Sequence, residues 1–256
     1  MEALRVLLLG AIQGLTEFIP VSSTAHLFLA RDFFGWPDLG LSFDMALHLG
    51  TLLALVIYMW RDWYEIFTEK RDLLVLIIIA TIPGAIAGFF LENAAETYFR
   101  SPLIMAITLS VFGIILFLVD RWSKHNISMN NIGIKEALII GISQMFAIIP
   151  GVSRSGATLT GAFLCNLKRE DSARFSFLLS VPIILGAGGV SFLKLLKGGM
   201  AIPVDILLLG ILSSFIFGYL AVHFMLVYLR RHNSSIFTYY RLLLSLLIII
   251  FLLNRR

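Results

Sequence analysis

Charge is scarce in this chain. Only 14% of its 256 residues are Asp, Glu, Lys or Arg, against roughly 25% in a soluble domain. Cysteine is nearly missing: Cys165 stands alone, which excludes an intrachain disulfide and any cysteine-built metal cluster. It lies among apolar neighbours and reads as a small packing residue. Hydrocarbon fills the place of the missing charge. Hydrophobic residues make up 59% of the chain and the mean hydropathy is +0.91. Lipid, not water, is then the solvent for most of the surface. The pI of about 9.3 does not indicate a nucleic-acid partner, because the basic residues sit in short loops between apolar runs, as the positive-inside rule requires. The first apolar run, 3–19, carries Arg5 and leads into more apolar sequence without a convincing small-residue cleavage site, so it does not read as a cleavable signal.

Six apolar segments are long enough, or nearly so, to span a membrane: about 41–60, 73–91, 102–120, 175–194, 204–228 and 240–254. A span needs about 20 residues. Two further stretches, about 2–34 and 133–166, are interrupted at Pro20 and at Pro150-Gly151. Each is too polar at its centre to face lipid, and non-helical backbone at membrane depth survives only where protein buries it or a cavity receives it. Both read as re-entrant helix hairpins. The two breaks resemble each other, F-I-P-V-S-S at 18–23 and I-I-P-G-V-S at 148–153, with a serine three residues after each proline and a glutamine upstream, Gln13 and Gln144. The following segments match weakly, from Phe43 and from Phe175, which stand 23 and 25 residues after their prolines. Chance likeness between apolar sequences is the alternative to an internal repeat of about 1–120 and 133–254 in a single membrane domain. Three spans per repeat is an odd number, so the second repeat enters from the opposite face. The expected fold is an all-α polytopic membrane protein with an inverted repeat, six spanning helices and two re-entrant hairpins that meet near the midplane.

Loop charge sets the orientation. The turns near 61–72, 121–135, 167–174 and 229–241 hold twelve basic residues: Arg61, Lys70, Arg71, Arg121, Lys124, Lys135, Lys168, Arg169, Arg174, Arg230, Arg231 and Arg241. The other side holds seven: Arg5, Arg31, Arg100, Lys194, Lys197, Arg255 and Arg256. The richer side is expected in the cytoplasm, with both termini outside.

The remaining basic residue is Arg154, in P-G-V-S-R-S-G-A-T at 150–158. A guanidinium at membrane depth costs at least roughly 2.5–3.5 kcal/mol and marks a functional site by default. Ser153, Ser155 and Thr158 surround it, and one fixed cation with three hydroxyls at a helix break suits a phosphate. In the first break, Gln13 and Glu17 are four apart and share a helix face. Glu17, flanked by Leu15, Phe18 and Ile19, can bind a cation, accept a proton or pair with Arg154; a purely structural ion pair is the plainer reading. Ser22 and Thr24 can cap the restarting helix. Ser23 and His26, three apart, can serve as nucleophile and base or as two phosphate ligands. His48 is expected to line a pore or pack between helices. G-V-S-R-S at 151–155 lacks the last glycine of a hydrolase elbow and follows no strand. The type-2 phosphatidic acid phosphatases place a histidine six residues after their arginine; here that residue is Thr160. Inverted repeats with broken helices and buried charge also suit a transporter, and on these residues alone enzyme and transporter both stay open.

The combination of Q-x-x-x-E, V-S-S-T-A-H and P-G-V-S-R-S-G-A-T resembles the bacterial undecaprenyl-diphosphate phosphatase family of the bacitracin-resistance type. The resemblance covers the whole chain, including F-S-F-L-L-S-V-P at 175–182. It implies an inner-membrane hydrolase that converts undecaprenyl diphosphate to the monophosphate carrier of peptidoglycan synthesis, with consequences for cell wall, cell shape and bacitracin resistance. It further implies an inverted-repeat fold, dependence on a divalent cation (Mg²⁺ or Ca²⁺), and frequent homodimers. Position by position, Gln13 and Glu17 match the family's E/Q-x-x-x-E pair, with a metal role at that pair. Ser23 and His26 match catalytic positions. Ser153, Arg154, Ser155 and Thr158 match the phosphate-binding segment, with Ser22 beside them. Many members have glutamate at the position of Gln13, whose amide keeps an oxygen ligand and drops a charge. A lipid flippase or transporter for a phosphorylated substrate is the alternative.

Overall fold

The computed structural model describes residues 2–97, 101–198 and 202–254. Side chains at 41, 42, 92–97 and 187–198 are outside that description. Among the described residues the chain is all helix with no strand. Eleven α-helices follow one another: α1 Glu2–Phe18, α2 Ser23–Phe34, α3 Leu41–Tyr58, α4 Trp60–Thr68, α5 Arg71–Thr97, α6 Pro102–Trp122, α7 Ile134–Met145, α8 Arg154–Leu164, α9 Arg169–Gly198, α10 Val204–Leu229 and α11 Ser235–Asn254.

Four helical segments are long and apolar enough to cross a membrane: Arg71–Leu91, Pro102–Trp122, Val204–Leu229 and Ser235–Asn254. Only 28 to 33% of each is buried inside the protein, so most of their Leu, Ile and Phe side chains face outward, as lipid contact requires. The run expected as one span at 41–60 instead bends by 66° between Phe43–Tyr58 and Trp60–Thr68, and makes a fifth span if the bent pair is counted as one. The polar W-R-D-W-Y-E at 60–65 explains the bend: α4 buries Ile66 and keeps its charges on the outer side. The last span begins at Ser235, five residues before the expected start. The stretch 175–194 lies within α9, which is serine-rich on its buried face at Ser172, Ser176 and Ser180.

Both interruptions fall where expected. Proline 20 cannot donate, so α1 stops, and the chain reverses through a tight turn in which Val21 N–H donates to the Ile19 carbonyl at 2.7 Å. Ser22 then adopts φ 72° and ψ 94°. At the second break α7 passes through a 3₁₀ turn, Phe146–Ile148, before Pro150 and Gly151. Gly151 sits at φ 91°, where a side chain would meet the Met105 carbonyl at 2.7 Å. Ser153 adopts φ 70° and ψ 116° and caps α8 by accepting the Gly156 N–H at 3.2 Å. Counting from the prolines matches Ser153 with Ser23; by conformation its counterpart is Ser22. Left-handed backbone at two non-glycine residues is costly, and such strain persists only where the surroundings enforce it.

Arg241 supplies part of that enforcement, and its place corrects the loop reading. It lies inside α11 and is fully buried, not in a turn, so the richer side holds eleven basic residues. Its Nε donates to the Leu109 carbonyl at 3.0 Å, and its Nη2 to the Gly151 and Val152 carbonyls at 3.0 and 2.9 Å. Nη1 reaches the Pro20 carbonyl at 3.4 Å. One guanidinium therefore ties both breaks to α6 and α11. Arg241→Met should lower stability by roughly 3 kcal/mol, since each buried carbonyl left without a donor costs about 1–3 kcal/mol. The unfolding temperature in detergent measures this; an unchanged value would remove Arg241 from the framework. On the poorer side, Arg100, Arg255 and Arg256 lie outside the described residues, as do the side chains of Lys194 and Lys197.

The four basic turns converge on one face. Arg174 pairs with Asp62 at 2.7 Å and Arg230 with Glu170 at 2.8 Å. Buried Asp120 binds Arg169 Nε at 2.7 Å, the Ser234 N–H and hydroxyl at 2.6 and 2.7 Å, and His125 Nε2 at 2.9 Å. Burial works against a charge on His125, but its contacts with Asp120 and the Leu167 carbonyl outweigh burial and raise its pKa. Cys165 is buried and unpaired nearby, a packing residue as expected.

Candidate active site

The two breaks meet, and Glu17 is where they touch. It ends α1 beside Phe18, whose ring packs edge-on against Phe177 of α9 with centroids 5.4 Å apart. That contact carries the Glu17 carboxylate into the interior, where it is 7% exposed. Oxygen Oε1 accepts from Arg154 Nη2 at 2.9 Å. Oxygen Oε2 accepts from the Gln13 amide at 3.0 Å and from the Ser23 hydroxyl at 2.7 Å. His48 Nε2 stands 3.8 Å from the same oxygen. Arg154 also donates through Nη1 to Ser180 of α9. A buried carboxylate that accepts from three donors, one of them a guanidinium, is compensated, and the Ser23 hydroxyl points its proton at a base.

A cavity of about 210 Å³ opens over this cluster. Glu17, Ser22, Ser23, Thr24 and His48 line one wall, and Pro150, Gly151, Ser153 and Arg154 line the other. A wider cavity of about 640 Å³ shares Thr24, Met45 and His48 with it and extends towards Arg31, Trp36 and Asp38. The smaller space admits a phosphate headgroup and excludes a long apolar tail.

Not every expected residue reaches the cavity. Ser155 is buried and donates to the Ile19 carbonyl at 3.2 Å, tying the second break to the first. Thr158 is buried, with its hydroxyl shared between the Arg154 and Ser155 carbonyls and Ser176. The Thr158 hydroxyl faces backbone and α9, and the Ser155 hydroxyl reaches the cavity only through the Ser153 hydroxyl, 3.1 Å away. His26 is likewise turned away from Ser23. Its Nδ1 donates to the Ser22 carbonyl at 2.7 Å, and its Nε2 meets the Tyr240 hydroxyl at 2.7 Å. The two rings stack with centroids 5.6 Å apart.

Four residues gain importance from the structure: His48, Ser180, Tyr240 and Arg241. Arg241 was detectable by the criterion that singles out Arg154, an arginine within a spanning run, had α11 been started at Ser235. Ser180 lies in F-S-F-L-L-S, where the serines at 176 and 180 share a helix face.

Among the described residues no three His, Cys, Asp or Glu side chains stand together as a ready metal cage. One buried atom nonetheless fits a cation. Gln13 Oε1 has no hydrogen-bond donor, although the same amide touches Glu17. An orphaned amide oxygen beside a carboxylate is a donor set for a hard ion that completes its shell with phosphate oxygens and water, as Mg²⁺ does.

The family described as bacitracin resistance protein BacA matches residues 6–247. The chain belongs to this family. It is 45% identical over 264 residues to the undecaprenyl-diphosphatase of Caldicellulosiruptor bescii, covering all of this chain and 99% of that one. The undecaprenyl-diphosphatase of Moorella thermoacetica is 46% identical, and that of Desulforudis audaxviator 43%, each covered over the full length of both chains. The apolar helices together with this family make the chain a multi-pass membrane protein.

Proposed function

We propose that the chain is an undecaprenyl-diphosphate phosphatase that removes the terminal phosphate of its lipid substrate at the Glu17–Arg154 cluster. The observation that carries the reading is a carboxylate, a hydroxyl and a guanidinium from two different broken helices converging on one small cavity, in a chain similar end to end to proteins named undecaprenyl-diphosphatase. The headgroup enters the cavity and the prenyl tail stays in lipid. Arg154 binds the terminal phosphate oxygens and stabilises the charge that develops on the transferring group. Ser23, or a water in its place, attacks phosphorus, and Glu17 Oε2, already 2.7 Å from the Ser23 oxygen, receives the proton. The bond from phosphorus to the bridging oxygen breaks with its electron pair leaving on the lipid monophosphate. Where Ser23 attacks, a water then frees the phosphate from it. Gln13 and Glu17 would hold a divalent cation, Mg²⁺ or Ca²⁺, which when bound offsets the diphosphate charge. Ser22 and Ser153 border the phosphate site. Ser155 and Thr158 serve it by locking the second break to the first and to α9. His26 braces the first break through Ser22 and Tyr240.

The reading includes six spans in two inverted repeats, with both broken helices re-entrant. Three pairs of residues 131 apart support it: Gly10 and Gly141, Gln13 and Gln144, and Ser22 and Ser153. The two serines share the same left-handed backbone. Gly10 lies against α10 at Ser213, and Gly141 lies against α5 at Ala80, the exchange of partners that a pseudo-twofold axis produces.

Purified protein in detergent, given undecaprenyl diphosphate, should release inorganic phosphate, and EDTA should suppress the release. A transporter would release none, and that result would end the phosphatase reading.

The site should open to the outer face of the bacterial inner membrane. Eleven basic residues against seven put the converging turns in the cytoplasm, and the first break's mouth, near Arg31 and Asp38, lies on the other side. Single cysteines at Asp38 and Ser123 in a Cys165→Ser background report this. A membrane-impermeant thiol reagent on intact cells should label position 38 and spare 123; the reverse pattern would overturn the orientation.

A further inference from the structure

We propose that α4 is no part of a span but an amphipathic helix lying flat in the headgroup layer of the bilayer, with Trp60, Tyr64 and Phe67 inserted among the lipids. It holds whatever chemistry the cavity performs. Helix α3 ends at Tyr58, and the chain turns through 66° before α4. The nine residues of α4 are about 13 Å long, less than half of the roughly 30 Å hydrocarbon core, and they carry Arg61, Asp62 and Glu65. The helical period divides α4 into three faces. Ile66 and Trp63 turn towards the protein, where Ile66 is buried and Trp63 packs against the core. Asp62 beside them holds Arg174 of α9 at 2.7 Å. Trp60, Tyr64 and Phe67, four and then three residues apart, share the second face and are 58, 62 and 57% exposed. Arg61, Glu65 and Thr68 form the third, which is exposed throughout.

Three observations make lipid the occupant of the aromatic face. The face continues the outward stripe of α3, where Leu53, Val56 and Ile57 are exposed and lead straight into Trp60, so one apolar solvent covers both. It also lies at the level of other exposed rings. Arg174 joins α4 to the start of α9, and Arg169 joins the start of α9 to Asp120 at the end of α6. Trp122 ends α6 and Tyr239 stands near the start of α11, both exposed at that end of the molecule. Tryptophan and tyrosine collect at this depth because each carries an apolar body and a polar edge. Charge is placed to match. Lys70 neutralises Glu65 at 2.7 Å and Arg174 neutralises Asp62. Arg61 makes no ion pair among the described residues; its guanidinium lies 5.3 Å from the centre of the Trp60 ring. It stands on the border between the aromatic and charged faces, where lipid phosphates meet a helix immersed by one side.

The test is spin-label accessibility in the full chain, reconstituted in vesicles of phosphatidylethanolamine and phosphatidylglycerol. Nitroxides are attached at single cysteines, Tyr64→Cys and Phe67→Cys on the aromatic face and Glu65→Cys and Thr68→Cys on the charged face, in a Cys165→Ser background. Oxygen, which concentrates in lipid, should relax the labels at 64 and 67 more strongly than a water-soluble nickel chelate does, at a depth of about 5–10 Å. The order should reverse at 65 and 68. Nickel relaxation dominating at 64 and 67 would put the helix in water and overturn the proposal. Exclusion of both relaxants there would also overturn it and mark a second copy of the chain as the cover. A further measurement leaves Tyr64 and Phe67 untouched: the tryptophan fluorescence of the wild type less that of Trp60→Phe, in vesicles of phosphatidylcholine brominated either near the headgroup or near the chain end. Trp60 emission should be quenched most by bromine near the headgroup. Emission that neither lipid quenches, or that bromine at the chain end quenches more, contradicts the interfacial placement.

Discussion

Arg154→Ala should cut kcat by about 10² to 10³, the loss seen when one preorganised donor to a developing oxyanion is removed, equivalent to roughly 2.7–4 kcal/mol. The protein should remain folded and inserted. Glu17 would keep its hydrogen bonds from Gln13 and Ser23, so no bare carboxylate is left in the interior. Lysine should rescue poorly: it carries the charge but not the planar fork that here reaches Glu17 and Ser180 at once. Steady-state phosphate release decides it. A variant that retains more than about a tenth of wild-type kcat/KM has lost under roughly 1.4 kcal/mol, and Arg154 would then be a structural tie.

Glu17→Gln should be as damaging, with kcat lower by about 10² to 10⁴, the usual contribution of a positioned base. The amide still accepts a hydrogen bond from Ser23 but takes no proton. The same substitution should flatten the response to Mg²⁺ and Ca²⁺, because a neutral amide holds a hard cation far less well than a carboxylate. Gln13→Glu, by contrast, should be tolerated, since a carboxylate keeps the oxygen ligand that the unpartnered Gln13 Oε1 offers. Titrating activity against each cation in both variants separates the two roles. An unchanged metal response in Glu17→Gln would take Glu17 out of the metal site while leaving its proton-accepting role to the kcat value.

The breaks at Pro20 and Pro150-Gly151 were legible because proline and glycine act locally. Glu17 and Arg154 were legible because charge inside an apolar run is conspicuous wherever it occurs. Their pairing was anticipated from the repeat, and the 2.9 Å contact bears it out. Other features depend on the third dimension. Which hydroxyls face the cavity is decided by the rotation of α8 against α9, and Thr158 turns towards Ser176 for a reason absent from P-G-V-S-R-S-G-A-T itself. Ser23 and His26 share helical spacing, yet Tyr240, 214 residues away, holds the ring aside. Arg241 escaped because its helix begins in the polar run S-I-F-T-Y-Y, which reads as loop until the fold packs Phe237 and Thr238 inward. His48 was expected to line a pore or to pack between helices; it lines the cavity, but only the approach of α3 to α1 puts Glu17 beside it.

The measurement that bears most directly on the central claim is turnover by the exchanged pair, Glu17→Arg with Arg154→Glu. The exchange keeps one positive and one negative group in contact across the two breaks, so any purely structural tie survives. If the pair performs the chemistry, the base and the phosphate-binding cation are now on the wrong sides of the Ser23 hydroxyl. Phosphate release from undecaprenyl diphosphate should then stay at least about a hundredfold below wild type, even where the unfolding temperature returns towards the wild-type value. Recovery of turnover alongside stability would contradict the account and leave Glu17 and Arg154 as a clasp between the two halves.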